Sequence, residues 1–100
     1  ETYIYNHLKD FVSLTSNRND MLEKIAEWVY IEFQVNIYFC EIKGKRWSFM
    51  AGRKHTVYVP VQIPINNNLG IIAEENSIQE DTWDALIHVL NQLQEEGVIA

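Results

Sequence analysis

The clearest strand signal in this chain is residues 57–65, which read VYVPVQIPI. Branched aliphatic residues occupy every second position, and tyrosine, glutamine and two prolines occupy the positions between them. This alternation is typical of a strand with one buried face. Because proline has no backbone N–H to donate, the two prolines predict that at least one side of this strand is an edge of the sheet.

A second strand of the sheet is predicted just after this run. Residues 66–68 are three consecutive asparagines, a residue type that tolerates left-handed backbone geometry, so they predict a turn. Residues 69–74 read LGIIAE and form the next predicted strand, antiparallel to the first.

A hairpin is predicted upstream of these two strands. Residues 35–40 alternate between apolar and mixed positions, residues 43–45 read KGK and predict a tight turn at Gly44, and residues 46–51 form the return strand. The side chains predicted to share one face of the return strand are Trp47, Phe49 and Ala51.

Helical spacing of apolar residues marks both ends of the chain. Residues 3–15 and 20–33 each carry an apolar stripe opposite a polar face, and Asn17 or Asn19 is the predicted N-cap of the second helix. A third helix is predicted after Ser77, which forms an S-x-x-E capping-box pattern with Glu80.

These elements predict an α+β fold in a single domain spanning residues 1–100. The expected architecture is an antiparallel sheet of four to five strands, with the N-terminal and C-terminal helices packed on one of its faces. Because the chain starts without an initiator methionine or a signal sequence, we expect it to be a domain of a larger multidomain protein.

Composition excludes several classes of protein. The 100 residues include 14 acidic and 8 basic side chains, for a net charge of −6, which argues against a general nucleic-acid binder. No apolar run approaches the roughly 18–20 residues that a membrane span requires, so no membrane contact is expected. The single cysteine rules out an internal disulfide and favours a reducing, cytoplasmic location.

The order of elements and three short motifs resemble a GAF domain, a small sensory module of bacterial signalling proteins. The motifs are a helix leading into a hairpin over residues 22–49, the pair Val59-Pro60-Val61 and Leu69-Gly70-Ile71-Ile72, and the start of the closing helix at residues 78–81. The resemblance implies a non-enzymatic module of a sensor kinase or regulator, which relays conformational change through its terminal helices.

Dimerisation through the terminal helices is a further implication of the resemblance, together with contacts to other domains of the parent protein. The residues expected at this homodimer interface are Ile4, Tyr5, Leu8, Phe11, Leu90 and Leu93.

A shallow ligand site is the alternative hypothesis. GAF domains usually carry a lid between the first hairpin and the V-P strand, whereas only residues 52–56 connect the two here. We therefore expect at most a shallow pocket near Tyr38, Trp47 and Tyr58. The sheet face predicted to point away from the helices carries Asn36, Tyr38, Cys40, Ser48, Tyr58 and Gln62.

A basic patch offers another alternative, contact with an anionic partner. Five of the eight basic residues lie between positions 43 and 54, next to two aromatic residues. An ordinary solvated hairpin tip with its aromatic side chains turned inward would show the same pattern. The basic residues are Lys43, Lys45, Arg46, Arg53 and Lys54.

Sequence motifs for catalysis, metals or cofactors are absent from the chain. The three histidines have no metal-binding spacing, the four glycines form no phosphate-binding loop, and the paired carboxylates fall at predicted element ends. Cys40 sits within a predicted strand next to Glu41, which favours a small packed side chain over a reactive thiol. We therefore expect no enzymatic activity, no metal and no cofactor.

Overall fold

The computed structural model describes residues 2–13, 17–52, 59–75 and 77–97. The described strands form one antiparallel sheet, in which strand 38–43 lies between strands 46–52 and 69–74, and strand 60–64 lies on the other side of 69–74. The α+β fold class predicted from the sequence is confirmed, with four strands in the described residues. In chain order the elements are α1 Thr2–Val12, α2 Arg18–Phe33, β1 Tyr38–Lys43, β2 Arg46–Gly52, β3 Pro60–Pro64, β4 Leu69–Glu74 and α3 Glu80–Glu95.

The hydrophobic core lies between the helices and one face of the sheet. Phe39 of β1 and Ile71 of β4 are fully buried there, and both belong to the same cluster as the apolar stripes of all three helices. Helix α2 contacts β1 and β2, while α1 contacts α2 and α3. The helix residues in this cluster include Leu8, Val12, Leu22, Ile25, Val29, Leu86, Leu90 and Leu93.

The two long helices begin differently. Asn17 caps α2 as predicted, because its side-chain oxygen accepts hydrogen bonds from the backbone N–H groups of Asn19 and Asp20 at 2.8 and 3.3 Å. The capping box predicted for α3 is wrong. Gln79 rather than Ser77 is its N-cap, and Gln79 makes no side-chain capping bond. Ser77 lies two residues earlier, where its hydroxyl donates to the carbonyl of Glu74 at 2.6 Å.

The β1–β2 hairpin has the predicted turn, with Gly44 at a positive φ of 63°. However, β1 starts at Tyr38 rather than at Val35, because Gln34 ends α2 in the left-handed conformation and the chain needs residues 35–37 to reach the sheet.

A β-bulge in this hairpin corrects one prediction. Phe39 pairs with Ala51 and the next residue, Cys40, pairs with Phe49, so Met50 has no partner in β1. The extra residue reverses the alternation along β2. Trp47 and Phe49 therefore share one face, as predicted, but Ala51 lies on the opposite face, in the core.

Strand β3 is the outermost strand on its side of the described sheet, as its prolines predicted. The backbone bonds from Ile65 N–H to Leu69 and from Glu75 N–H to Val59 show which β3 positions pair with β4. By alternation, the backbone groups of positions 60, 62 and 64 point away from β4, and two of these residues are prolines, which have no N–H. Gln62 is then the single outward N–H donor of this strand, which protects the edge from pairing with other chains.

Candidate functional site

The sheet face opposite the core carries a shallow depression of about 660 Å³. The neighbouring strands bring its residues together in rows, with Gln62 beside Ile72 and Ile72 beside Tyr38, and with Gly70 beside Cys40 and Cys40 beside Phe49. We call this surface the open face. Its described lining consists of Tyr38, Cys40, Trp47, Phe49, Pro60, Gln62 and Ile72.

Small and buried residues form the floor of the depression. Cys40 is 3% exposed and Ile72 is 6% exposed, yet neither belongs to the core cluster beneath the helices. They are shielded by larger side chains on the same face. The depression lies over Cys40, whose short side chain leaves space between the larger side chains around it.

Aromatic side chains form the walls. The rings of Tyr38 and Phe49 lie 5.7 Å apart, centroid to centroid, and are tilted by 50°. Phe49 is 45% exposed, which is unusual for a phenylalanine. Burial, with a smaller contribution from Cys40, raises the pKa of Tyr38 above its ordinary value. Its hydroxyl can donate a hydrogen bond to a ligand.

The edge strand adds the amide of Gln62, a side chain that can both donate and accept hydrogen bonds. Gln62 is exposed, and it lies in the same row as Tyr38 with Ile72 between them. None of the described lining residues is acidic or basic. The site thus offers aromatic surface and neutral polar groups to a ligand.

Two of the three predicted ligand-binding residues, Tyr38 and Trp47, meet at this depression. Tyr58 lies outside the described residues. Of the predicted open-face residues, Ser48 alternates with Trp47 and Phe49 and so faces the helix side of the sheet. Sequence reasoning missed Ile72, whose place in the depression follows from the strand order, a feature that no local pattern encodes.

The basic residues of the hairpin lie at one end of the sheet. Lys43, Lys45 and Arg46 are exposed at the turn, where the Lys43 ammonium lies 3.5 Å from the carboxylate of Glu41. Strand β2 then runs seven residues to its far end, a distance of roughly 20 Å at strand spacing. Arg53 and Lys54 lie outside the described residues, so the predicted five-residue patch is described only in part.

The residues predicted for a dimer interface lie mostly in the interior of a single chain. Ile4, Leu8, Leu90 and Leu93 are buried in the core, where the terminal helices pack against each other and the sheet. Their side chains are not available to a second copy in this conformation. Tyr5 and Phe11 are partly buried and pack at the margin of the same cluster.

A second depression, of about 430 Å³, lies between α2 and the end of the sheet that holds Gly52. Its described lining mixes polar and apolar residues, and includes the three acidic residues Asp20, Glu23 and Glu27. The Oδ1 atom of Asn36, another lining residue, is buried without a hydrogen-bond partner among the described groups. The Lys24 ammonium lies 3.7 Å from the Glu27 carboxylate at its rim.

Residues 2–13, 17–52, 59–75 and 77–97 contain no group of three or more His, Cys, Asp or Glu side chains placed to hold a metal ion. None of the described helices is both long enough and apolar enough to cross a membrane.

Comparison with known proteins returned no matching family, no matching curated protein and no matching solved structure. The geometry of the open face therefore carries the functional argument.

Proposed function

We propose that this chain is a non-enzymatic sensory module of a bacterial, cytoplasmic signalling protein, and that it binds a neutral, planar small molecule on its open face. The observation that carries the proposal is the meeting of Tyr38, Trp47 and Phe49 around one depression on the side of the sheet opposite the core. The resemblance of the sequence to GAF domains supports the sensory role, and the single cysteine supports the reducing location.

The chemistry of the lining selects the ligand class. Three aromatic rings favour a ligand with a flat face, because aromatic pairs add to the free energy gained from burial alone. The absence of charge from the described lining favours a neutral ligand, since an ion buried there would lose hydration without gaining a partner. The volume of about 660 Å³ falls within the range usual for small-molecule sites.

A conformational change caused by ligand binding would be transmitted through the helices on the other side of the sheet. Helix α2 contacts β1 and β2, and α1 is hydrogen-bonded to α2 through Tyr3 and Glu32 at 2.7 Å and to the C-cap residue of α3 through Tyr5 and Glu96. These contacts connect the sheet to both terminal helices. Self-association through these helices stays a prediction, and it would have to use surfaces other than the buried residues named above.

Titration with prodan, a neutral naphthalene dye whose emission reports the polarity around it, tests the proposal. We expect the wild-type chain to bind prodan with a blue shift of its emission. Trp47→Ala should raise the dissociation constant at least about tenfold, because the ligand loses both aromatic contact and buried area. Ile31→Ala is the matched control, since Ile31 is an exposed hydrophobic residue of α2 and should leave binding unchanged.

A charged dye separates this proposal from the basic-patch alternative. Anilinonaphthalene sulfonate should bind more weakly than prodan, because the described lining offers no cation and the chain carries a net charge of −6. Tighter binding of the sulfonate, abolished by Lys45→Glu with Arg46→Glu, would contradict a neutral ligand and favour an anionic partner at the hairpin. Prodan binding that is unaffected by Trp47→Ala would also contradict the proposal.

A further inference from the structure

The indole of Trp47 occupies the space that a side chain at position 70 would need. A Cβ atom added to Gly70 would lie 2.3 Å from Cζ3 and 2.4 Å from Cη2 of the Trp47 ring. It would also lie 3.1 Å from Cδ1 of Ile42. Distances of 2.3 and 2.4 Å are far shorter than carbon atoms can approach without bonding, so no side chain fits there while the ring keeps its place.

This contact crosses the sheet. Trp47 belongs to β2 and Gly70 to β4, and β1 lies between these strands. Trp47 pairs with Ile42 of β1, while Gly70 pairs with Cys40 of the same strand. The indole therefore passes over β1 to reach β4, and the missing side chain at Gly70 leaves a socket for the outer edge of the ring.

We propose that Gly70 determines which ligands the open face accepts, because its socket fixes the indole of Trp47 as a rigid wall of the depression. Gly70 is a positioning residue here, and the selected class is a planar ring system that packs flat against a fixed aromatic surface. This inference rests on the proposed function of the open face. A mobile indole would cost such a ligand the entropy of ordering the side chain on binding.

Gly70→Ala is the direct test, with prodan as the probe. The added methyl group should displace the indole and raise the dissociation constant for prodan roughly two- to tenfold. The emission of Trp47, obtained by subtracting the spectrum of Trp47→Phe, should shift to the red as the ring moves into water. Gly70→Ala combined with Trp47→Phe should recover part of the prodan affinity, because the smaller phenyl ring leaves room for the methyl group.

The possible results distinguish failure of the inference about Gly70 from failure of the proposed function. If wild type and Gly70→Ala bind prodan equally well, the inference is overturned while the proposed function stands. If the wild type does not bind prodan, the proposed function fails, and an unshifted Trp47 emission in Gly70→Ala would overturn the socket separately. Should Gly70→Ala fail to fold, the anisotropy decay of Trp47 emission in the wild type, obtained by subtracting the signal of Trp47→Phe, tests the socket directly. A rapidly rotating indole would overturn the inference, while prodan binding by the wild type would still test the proposed function.

Discussion

Tyr38 shows how one residue links the open face to the stability of the fold. Its ring packs against Phe49 on the side of the sheet away from the helices, and burial raises the pKa of its phenol above the ordinary value of 10.0. In the unfolded chain the phenol ionises near pH 10, whereas in the folded chain it keeps its proton to a higher pH. From pH 10.0 up to the raised pKa of the folded chain, unfolding therefore releases a proton, and the free energy of unfolding falls as the pH rises.

Tyr38→Phe should remove this pH dependence. We expect the free energy of unfolding of the wild type to fall more steeply than that of the variant once the pH exceeds 10.0, with parallel values at neutral pH. Urea unfolding at a series of pH values measures the difference. Curves that remain parallel through the alkaline range would show that the folded state does not hold the Tyr38 proton more tightly.

Tyr38 and Trp47 were both predicted to lie near a shallow pocket, but alternation alone placed Ser48 rather than Trp47 on the face of Tyr38, because it could not include the bulge in β2. Alternation was also not enough to find the role of Gly70, because the contact with Trp47 depends on the order of strands and spans two strand spacings. A glycine within a strand signals a close approach of some group, and the sequence leaves that group unspecified. Only the order of strands in the sheet shows that the group approaching Gly70 is the ring of Trp47.

At the scale of elements, local sequence patterns predicted which helices, strands and turns form, but they missed the β-bulge in β2 and the start of α3. The asparagine turn was predicted correctly: Asn66 closes it by accepting hydrogen bonds from the N–H groups of Asn68 and Leu69 at 2.8 and 3.0 Å. The bulge at Met50 was missed because it follows from how β1 and β2 pair, not from the residue itself. The capping pattern at Ser77 failed because α3 begins at Glu80 with Gln79 as its N-cap, which places Ser77 two residues before the capping position.

Helix α3 consequently begins without a side-chain cap, so a capping residue at position 79 should increase the free energy of unfolding. Gln79→Asp should stabilise the chain by about 1 kcal/mol, because aspartate at the N-cap can accept a hydrogen bond from the first turn and its charge suits the helix dipole. Gln79→Glu is the matched control, since it adds the same charge on a side chain too long to cap well. Equal effects of the two changes in urea unfolding would mean that charge alone acts at this position.

At the scale of the whole molecule, α1 is part of the core and not an appendage to it. Ile4, Leu8 and Val12 are buried in the core with residues of α2 and α3. The apolar stripe that was predicted to contact a second chain therefore packs within a single chain. The sequence alone could not tell packing within one chain from packing between two chains, because both require the same apolar stripe on the helix.

Leu8→Ala separates the two roles of α1. Leu8 is fully buried, so we expect the free energy of unfolding to fall by about 2–5 kcal/mol at every protein concentration. Asp10→Ala, an exposed position on the same helix, should change it little. If the loss depended on protein concentration, as for a residue buried between subunits, the placement of α1 in the core of a single chain would be contradicted.

The most direct test of the central claim is to map prodan binding residue by residue with amide chemical shifts of the isotope-labelled chain. If the ligand binds the open face, the largest changes should fall on Tyr38, Trp47, Gly70 and Ile72, in a patch that spans β2, β1 and β4, while α2 around Glu23 and Glu27 is unaffected. Changes confined to the depression beside α2, or scattered over the surface without a centre, would contradict it.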